Sequence, residues 1–391
     1  MKKKMISLLL AALPYVAHAQ DVFISEAAEQ RCRLGAQEAI NPLLLQAAAA
    51  AKKEFSIFNG HVGDSLGGIW KTGSVETEVE LLKTGGDPDA IADKVAWRRV
   101  DRYWRSLSPT EFSAWPRDVM FVPDAVDAPL ASVTKKGLLD ALENTGTLSH
   151  NQKLALMQAV HRAAISDTPW SAAFISSIMA TAGTSSPDEF QLSLRHSTYI
   201  HNAIKFAKQE TDGTPNANLY RACNPQRTPL RVGDLICARR GKNYTPTGFV
   251  KKEGHTNQYP SHCDLVVAIE EQQVPGDAGT TEKVAMVIGG NVLQAVTRRE
   301  LKLQGDGSLA PRQGLAHAPF NPSGPTSVRY QTASGEESVV QKNNHPENVN
   351  DANWVVLLQG RKNTRPPEAR TRRALPELAP IFLLEDGQIA D

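Results

Sequence analysis

The sequence predicts an α+β protein, and three observations predict it. The first half of the 391-residue chain is rich in Ala, Leu, Glu and Gln at helical spacing, and the second half in short β-branched runs between Gly, Pro and Asn loops. Helices first and strands second point to an antiparallel sheet with a helical layer packed on it. Hydrophobic residues make up 41% and charged residues 22%, the balance of an ordinary globular core.

The elements follow in order. "MKKKMISLLLAALPYVAHAQ" joins a lysine cluster, a short apolar run and a small-x-small ending at Ala17-His18-Ala19. That is the pattern of a secretory signal peptide over residues 1–19, and it predicts a periplasmic or secreted protein. The apolar run is too short for a comfortable membrane span, and no later stretch is long and apolar enough to make one. Residues 24–58 carry helical spacing, with Pro42 expected to break them into two helices. "DAIADKVAWRRVDRYWRSL" predicts another helix, its bulky Val95, Trp97, Val100, Tyr103, Trp104 and Leu107 lying mostly on one side. "HNQKLALMQAVHRAAI" and "WSAAFISSIMATAG" predict two more, the second closed by Gly183. "DEFQLSLRHSTYIHNAIKFAKQE" reads as a further helix opening near Ser186 or Asp188. Strands are predicted in "LRVGDLICARR", "SHCDLVVAIEEQ", "KVAMVIGGNV", "LQAVTRRELKL" and "NWVVLLQG". The expected organisation is a mostly helical region over residues 20–154, a core over 155–361, and a Pro- and charge-rich tail over 362–391.

A net charge of +1 gives no reason to expect nucleic acid as a partner. The cysteines are Cys32, Cys223, Cys237 and Cys263, with no C-x-x-C pair. An even number in an exported chain favours disulfides over a metal or redox site. Three pairings are open, and the reading leans to Cys237 with Cys263 and Cys32 with Cys223. His196 and His201 lie five apart, which is off a shared helical face, so no metal site is expected from them with His262. No cofactor is expected.

The candidate chemistry sits in the predicted hairpin "SHCDLVVAIEEQQVPGDAGTTEKVAMVIGGNV". If Gln273 faces Glu282, then Asp264 faces Asn291 and His262 faces Leu293. His262, Asp264 and Asn291 would share one face, with Cys263 pointing the other way. A His held by an Asn or Asp can activate a nucleophile. Ser171, at the mouth of its helix, would be that nucleophile, with the helix N-terminus stabilising an oxyanion. Trp170, His196 and Tyr199 are candidate walls of a substrate cleft.

The blocks "PWSAAFISSIMATAG", "FQLSLRHSTYIHNAI", "VGDLICARR", "SHCDLVVAI" and "VIGGNV", over residues 170–296, resemble a bacterial family, domain of unknown function 2272. That family is related to the CHAP and NlpC-type papain-like peptidoglycan hydrolases. The resemblance implies a papain-like fold and hydrolysis of an amide bond in peptidoglycan stem peptides. It assigns Ser171 to the nucleophile position, where the relatives carry Cys, and His262 to the catalytic base. Gly233-Asp234 would open the first sheet strand, and Asn291 would end the Gly-Gly-Asn block. Serine in place of a thiol leaves two alternatives of other kinds. One is an inactive module of the same fold that binds peptidoglycan or a protein partner; the other is a secreted antibacterial effector.

Overall fold

The computed structural model describes residues 24–77, 95–107, 116–121, 131–184, 186–240, 260–274, 277–311, 313, 327–331, 337–341, 349–350, 352–362, 384–385 and 388–389. The predicted signal peptide and most of the predicted tail lie outside the described residues.

Seven helices and a large, mostly antiparallel sheet make up the described chain. The helices are α1 (Glu26–Gly35), α2 (Pro42–Phe58), α3 (Ala96–Arg105), α4 (Lys135–Glu143), α5 (His150–Asp167), α6 (Ser171–Ala182) and α7 (His196–Thr211). The predicted break at Pro42 is present. Asn41 caps α2 by accepting from the Leu43 N–H at 3.0 Å, and Pro42 takes the first helical turn, where a missing N–H costs nothing. Ser149 and Gln152 form a reciprocal capping box at the start of α5. Gly183 closes α6 in the left-handed region, at φ 96°.

Helix α7 begins ten residues later than Ser186, one of the two starts the sequence suggested. The intervening backbone is committed elsewhere. The Ser193 N–H donates to Ser176 Oγ at 2.9 Å, and Ser176 Oγ donates back to the Ser193 carbonyl at 3.0 Å. The Glu189 carbonyl accepts from Leu219 N–H at 2.9 Å. Tertiary partners satisfy these groups, so the segment folds across α6 instead of extending α7.

The strands are β1 (Val62–Gly63), β2 (Ile69–Lys71), β3 (Asp118–Phe121), β4 (Ala131–Thr134), β5 (Tyr220–Cys223), β6 (Leu235–Arg239), β7 (Ser261–Val274), β8 (Asp277–Val292), β9 (Ala295–Lys302), β10 (Ser327–Gln331), β11 (Glu337–Gln341) and β12 (Asn353–Gly360). Eight of them form one sheet in the order β2-β1-β9-β8-β7-β6-β12-β5, while β3 with β4 and β10 with β11 form separate pairs. Among the described residues the one parallel strand contact is Val62 against Arg298. Strands β1 and β2 were not foreseen. They lie in the region expected to be mostly helical, and they tie it to the sheet of the core.

The main core lies between the helices and one sheet face. Leu43, Ala47 and Phe58 of α2, Tyr103 and Trp104 of α3, and Phe174 and Ile178 of α6 pack there with Leu235, Leu265, Ile288 and Val356 of the sheet. Ile236, Val266, Val287 and Leu357 form a second cluster on alternate strand positions. Burial of side chains of this size contributes roughly 1.5–3 kcal/mol each before entropy is counted.

All four cysteines are paired, Cys32 with Cys223 and Cys237 with Cys263. The first ties α1 to β5; the second links β6 to β7 at directly opposed positions. Two disulfides fit an extracellular or periplasmic location. No helix among the described residues is long and apolar enough to cross a membrane.

The Gly233-Asp234 pair proves to be a corner. Gly233 has φ 90° and sits against Leu44, so a side chain there would be both strained and crowded. Asp234 accepts from the Arg231 and Gly360 N–H groups, each at 2.8 Å. Burial pushes its carboxyl up to about 7 against those bonds.

Candidate active site

Ser171 is the first residue of α6, and His196 is the first residue of α7. The two helix starts meet. Ser171 Oγ lies 2.8 Å from His196 Nε2, and the two residues are 5% and 3% exposed. Burial drives the His196 ring well below its ordinary pKa, with the neighbouring His262 and Arg240 adding to the drop. His196 is therefore neutral at physiological pH, the state in which Nε2 can accept the serine proton. Its Nδ1 is buried and has no hydrogen-bond partner among the described residues.

Neither α6 nor α7 has a side chain capping its first turn. The first intrahelical bond of α6 runs from the Phe174 N–H to the Trp170 carbonyl at 2.9 Å. The N–H groups of Ser171, Ala172 and Ala173 precede it and lack helical acceptors. Ser171 and Ala172 line a cavity of about 350 Å³, together with Arg195, His196, Arg240 and Ser261. The opening of the site is thus at the positive end of the α6 dipole.

His262 stands beside this pair rather than in it. Its ring meets the His196 ring edge to face, with centroids 5.3 Å apart. Its Nε2 donates to Asp264 Oδ1 at 2.7 Å, and its Nδ1 accepts from an Arg240 Nη2–H at 3.3 Å. Both nitrogens are used. Burial lowers the His262 pKa, against the upward pull of Asp264. Behind it, Asp264 is fully buried and accepts from Arg299 Nε at 3.0 Å as well as from Arg299 Nη2. Burial alone would raise the Asp264 carboxyl; Arg299 and His262 together hold it below the usual carboxylate range. Arg299 is fixed in turn by the Val349 carbonyl at 2.6 Å and the face of Trp354 at 5.0 Å.

The expected hairpin register needs correcting. Gln272, not Gln273, faces Glu282, and a bulge between Val266 and Ala268 shifts the pairing again, so that Leu265 faces Ile288. Two single-residue shifts in one direction restore the side-chain parity. They carry Asp264 to Gly289 rather than to Asn291. A Cβ on Gly289 would collide with the Asp264 carboxylate, so this position is kept open for the His262–Asp264 pair. Asn291 instead has φ 55° beside the turn that joins β8 to β9, and makes no hydrogen bond to His262 among the described residues. A bulge leaves no clear trace in an apolar run such as "DLVVAI", which is why the sequence misplaced Asn291.

Two of the expected cleft walls are core residues. Trp170 is fully buried among Phe58, Tyr103 and Phe174, and its Nε1–H donates to Glu76 Oε2. Tyr199 is 3% exposed; its hydroxyl lies 2.8 Å from the Ala172 carbonyl and 2.7 Å from the Ser193 carbonyl, with one proton to share between them. Tyr199 thereby holds the start of α6 against the segment that leads into α7. His196, the third expected wall, does line the cavity, and it is also the residue bonded to Ser171. Sequence reasoning missed that bond because the predicted α7 placed His196 in a helix interior. Arg195, Arg240 and Glu76 carried no sequence signal. No group of His, Cys, Asp and Glu with metal-holding geometry occurs among the described residues.

A family model described as "Uncharacterized protein conserved in bacteria (DUF2272)" matches residues 140–359, more than half of the chain. The chain belongs to this family. The DUF2272 match includes Ser171, His196, Arg240, His262, Asp264 and Arg299. It leaves out Glu76 and the helices α1 to α3, which pack behind the site. No curated protein matches the chain, and no solved structure does.

Proposed function

We propose that this protein is an exported hydrolase of an amide bond in a cell-wall peptide, with Ser171 as nucleophile and His196 as its base. The observation that carries the proposal is the 2.8 Å Ser171–His196 bond at the uncapped start of α6, facing a cavity. The neutral ring takes the hydroxyl proton as Ser171 Oγ attacks the carbonyl carbon. The free N–H groups at the α6 start stabilise the oxyanion. His196 then hands its proton to the leaving nitrogen, and water releases the acyl group by the reverse path. The negative Asp264, beyond the His262 ring, raises the His196 pKa and so favours the transient imidazolium. His262, with both nitrogens committed, acts as a positioning residue in this scheme. The peptidoglycan substrate and the papain-like ancestry rest on the sequence blocks that resemble the CHAP and NlpC-type hydrolases.

One observation favours a second reading, a binding module without turnover: among the described residues no third group orients His196, whose Nδ1 has no acceptor. The two readings part under one experiment. Mature protein is treated with a neutral alkyl fluorophosphonate and, separately, with purified peptidoglycan; adducts and fragments are read by mass spectrometry. The hydrolase reading expects a phosphonyl adduct on Ser171 and new amine-ended fragments, both absent in Ser171→Ala. No adduct and no fragments, with peptidoglycan still co-sedimenting the protein, would establish the binding module.

A further inference from the structure

The cavity in front of Ser171 is electropositive. Arg195 and Arg240 line it, and none of its described lining residues carries a carboxylate. Neither guanidinium has an ion-pair partner among the described residues. Among the described residues the Arg240 guanidinium donates to a neutral imidazole nitrogen, that of His262, at 3.3 Å. The nearest carboxylate behind that ring, Asp264, is already held by Arg299 and His262. Arg195, Arg240 and Arg299 thus set three positive charges against the single negative charge of Asp264.

The helices add to this field. Both α6, of 12 residues, and α7, of 16, begin at the cavity with no side-chain cap. Each presents the positive end of its dipole there. His196 also lines the cavity; it is 3% exposed, and its buried Nδ1 has no partner among the described residues. The remaining wall is apolar, from Pro169, Leu194 and Pro260. Two cations match a planar anion, and the apolar wall beside them matches a carbon skeleton that carries it.

We infer that the cavity binds a free carboxylate of the substrate, carried by the amino acid next to the bond presented to Ser171, with Arg240 as its main partner and Arg195 as the second. The position of the bond rests on the hydrolase reading; the carboxylate site does not.

The test therefore uses Ser171→Ala protein, in which turnover plays no part. N-acetyl-D-alanine, N-acetyl-D-alaninamide and inorganic phosphate are titrated against it, and binding is followed by NMR of the histidine ring nitrogens. The acid should bind about tenfold tighter than the amide, the worth of one charge-assisted hydrogen bond. Arg240→Gln should remove that preference, and Arg195→Gln should reduce it, with the circular dichroism unchanged. Equal binding of acid and amide, saturation by neither, or a preference that survives Arg240→Gln overturns the proposal. Phosphate binding as tightly as the acid would also overturn it. The acid bound selectively by a protein whose wild type forms no fluorophosphonate adduct would leave the carboxylate site standing and sink the hydrolase alone.

Discussion

Two buried histidines in this molecule have opposite surroundings. His161 of α5 is 5% exposed and His196 of α7 is 3% exposed, so burial does not distinguish them. His161 has both nitrogens partnered: Nε2 bonds Asp101 Oδ1 at 2.9 Å, and Nδ1 faces Lys135 Nζ at 3.4 Å. Asp101 is further held by Arg105 Nε at 2.7 Å. Burial lowers Lys135 to about 8, although Asp101 pulls it upward. This network joins α3, α4 and α5, and it faces none of the cavity residues. Among the described residues His196 has one side-chain partner, a serine hydroxyl, and an Nδ1 without one, and it lines the cavity. A satisfied buried network braces a fold; a half-satisfied one costs stability. An Asp–His–Lys set reads as chemistry in a sequence, yet here it is the brace.

The comparison can be broken most directly at His196. His196→Ala should slow fluorophosphonate labelling of Ser171 by about two to four orders of magnitude, the range of a positioned general base. The melting temperature should move little, because an orphaned buried nitrogen is removed along with one hydrogen bond. Labelling within a few-fold of wild type would put the base elsewhere.

The reverse result is expected at His161. His161→Ala leaves Asp101 short of one partner in a sealed site and should cost about 3 kcal/mol in urea unfolding. Under native conditions the labelling rate at Ser171 should hold. A large loss of labelling with little loss of stability would show that the two networks are coupled.

The smallest effect sharpens the packing behind Ser171. Burial raises the Glu76 carboxyl from 4.5 to about 7, against the Trp170 hydrogen bond. Below pH 4.5 the group is protonated in both folded and unfolded chains and costs nothing. Between pH 4.5 and 7 the unfolded chain ionises first, so stability falls as pH rises, and above 7 the loss is complete. Glu76→Gln keeps an acceptor for the indole and removes the titration. It should raise stability at pH 8 by on the order of 2 kcal/mol and leave it unchanged near pH 4. Chemical unfolding at the two pH values checks this; equal gains at both would assign the effect to packing instead.

Much of the frame was legible. The α+β class, the break at Pro42, the closure of α6 at Gly183 and five of the eight strands of the large sheet followed from periodicity and from Pro and Gly. These signals act within a few residues, where the chain's own geometry decides. Ser171 at a helix start was legible for the same reason, as was the His262–Asp264 pair, since alternate residues of a strand share a face whatever the strand pairs with.

Only the tertiary structure decided the rest. The partner of Ser171 depended on where α7 begins, and that was set by Ser176 capturing the Ser193 backbone from a different helix. The residue opposite Asp264 depended on a bulge at Val267, a choice made by packing between sheets and helices rather than by local propensity. The positive cavity depended on two helix starts separated by 25 residues meeting at one point. Long-range hydrogen bonds and packing are paid for by no local preference, so a single sequence shows the residues that enter a site more readily than the neighbours each will find there.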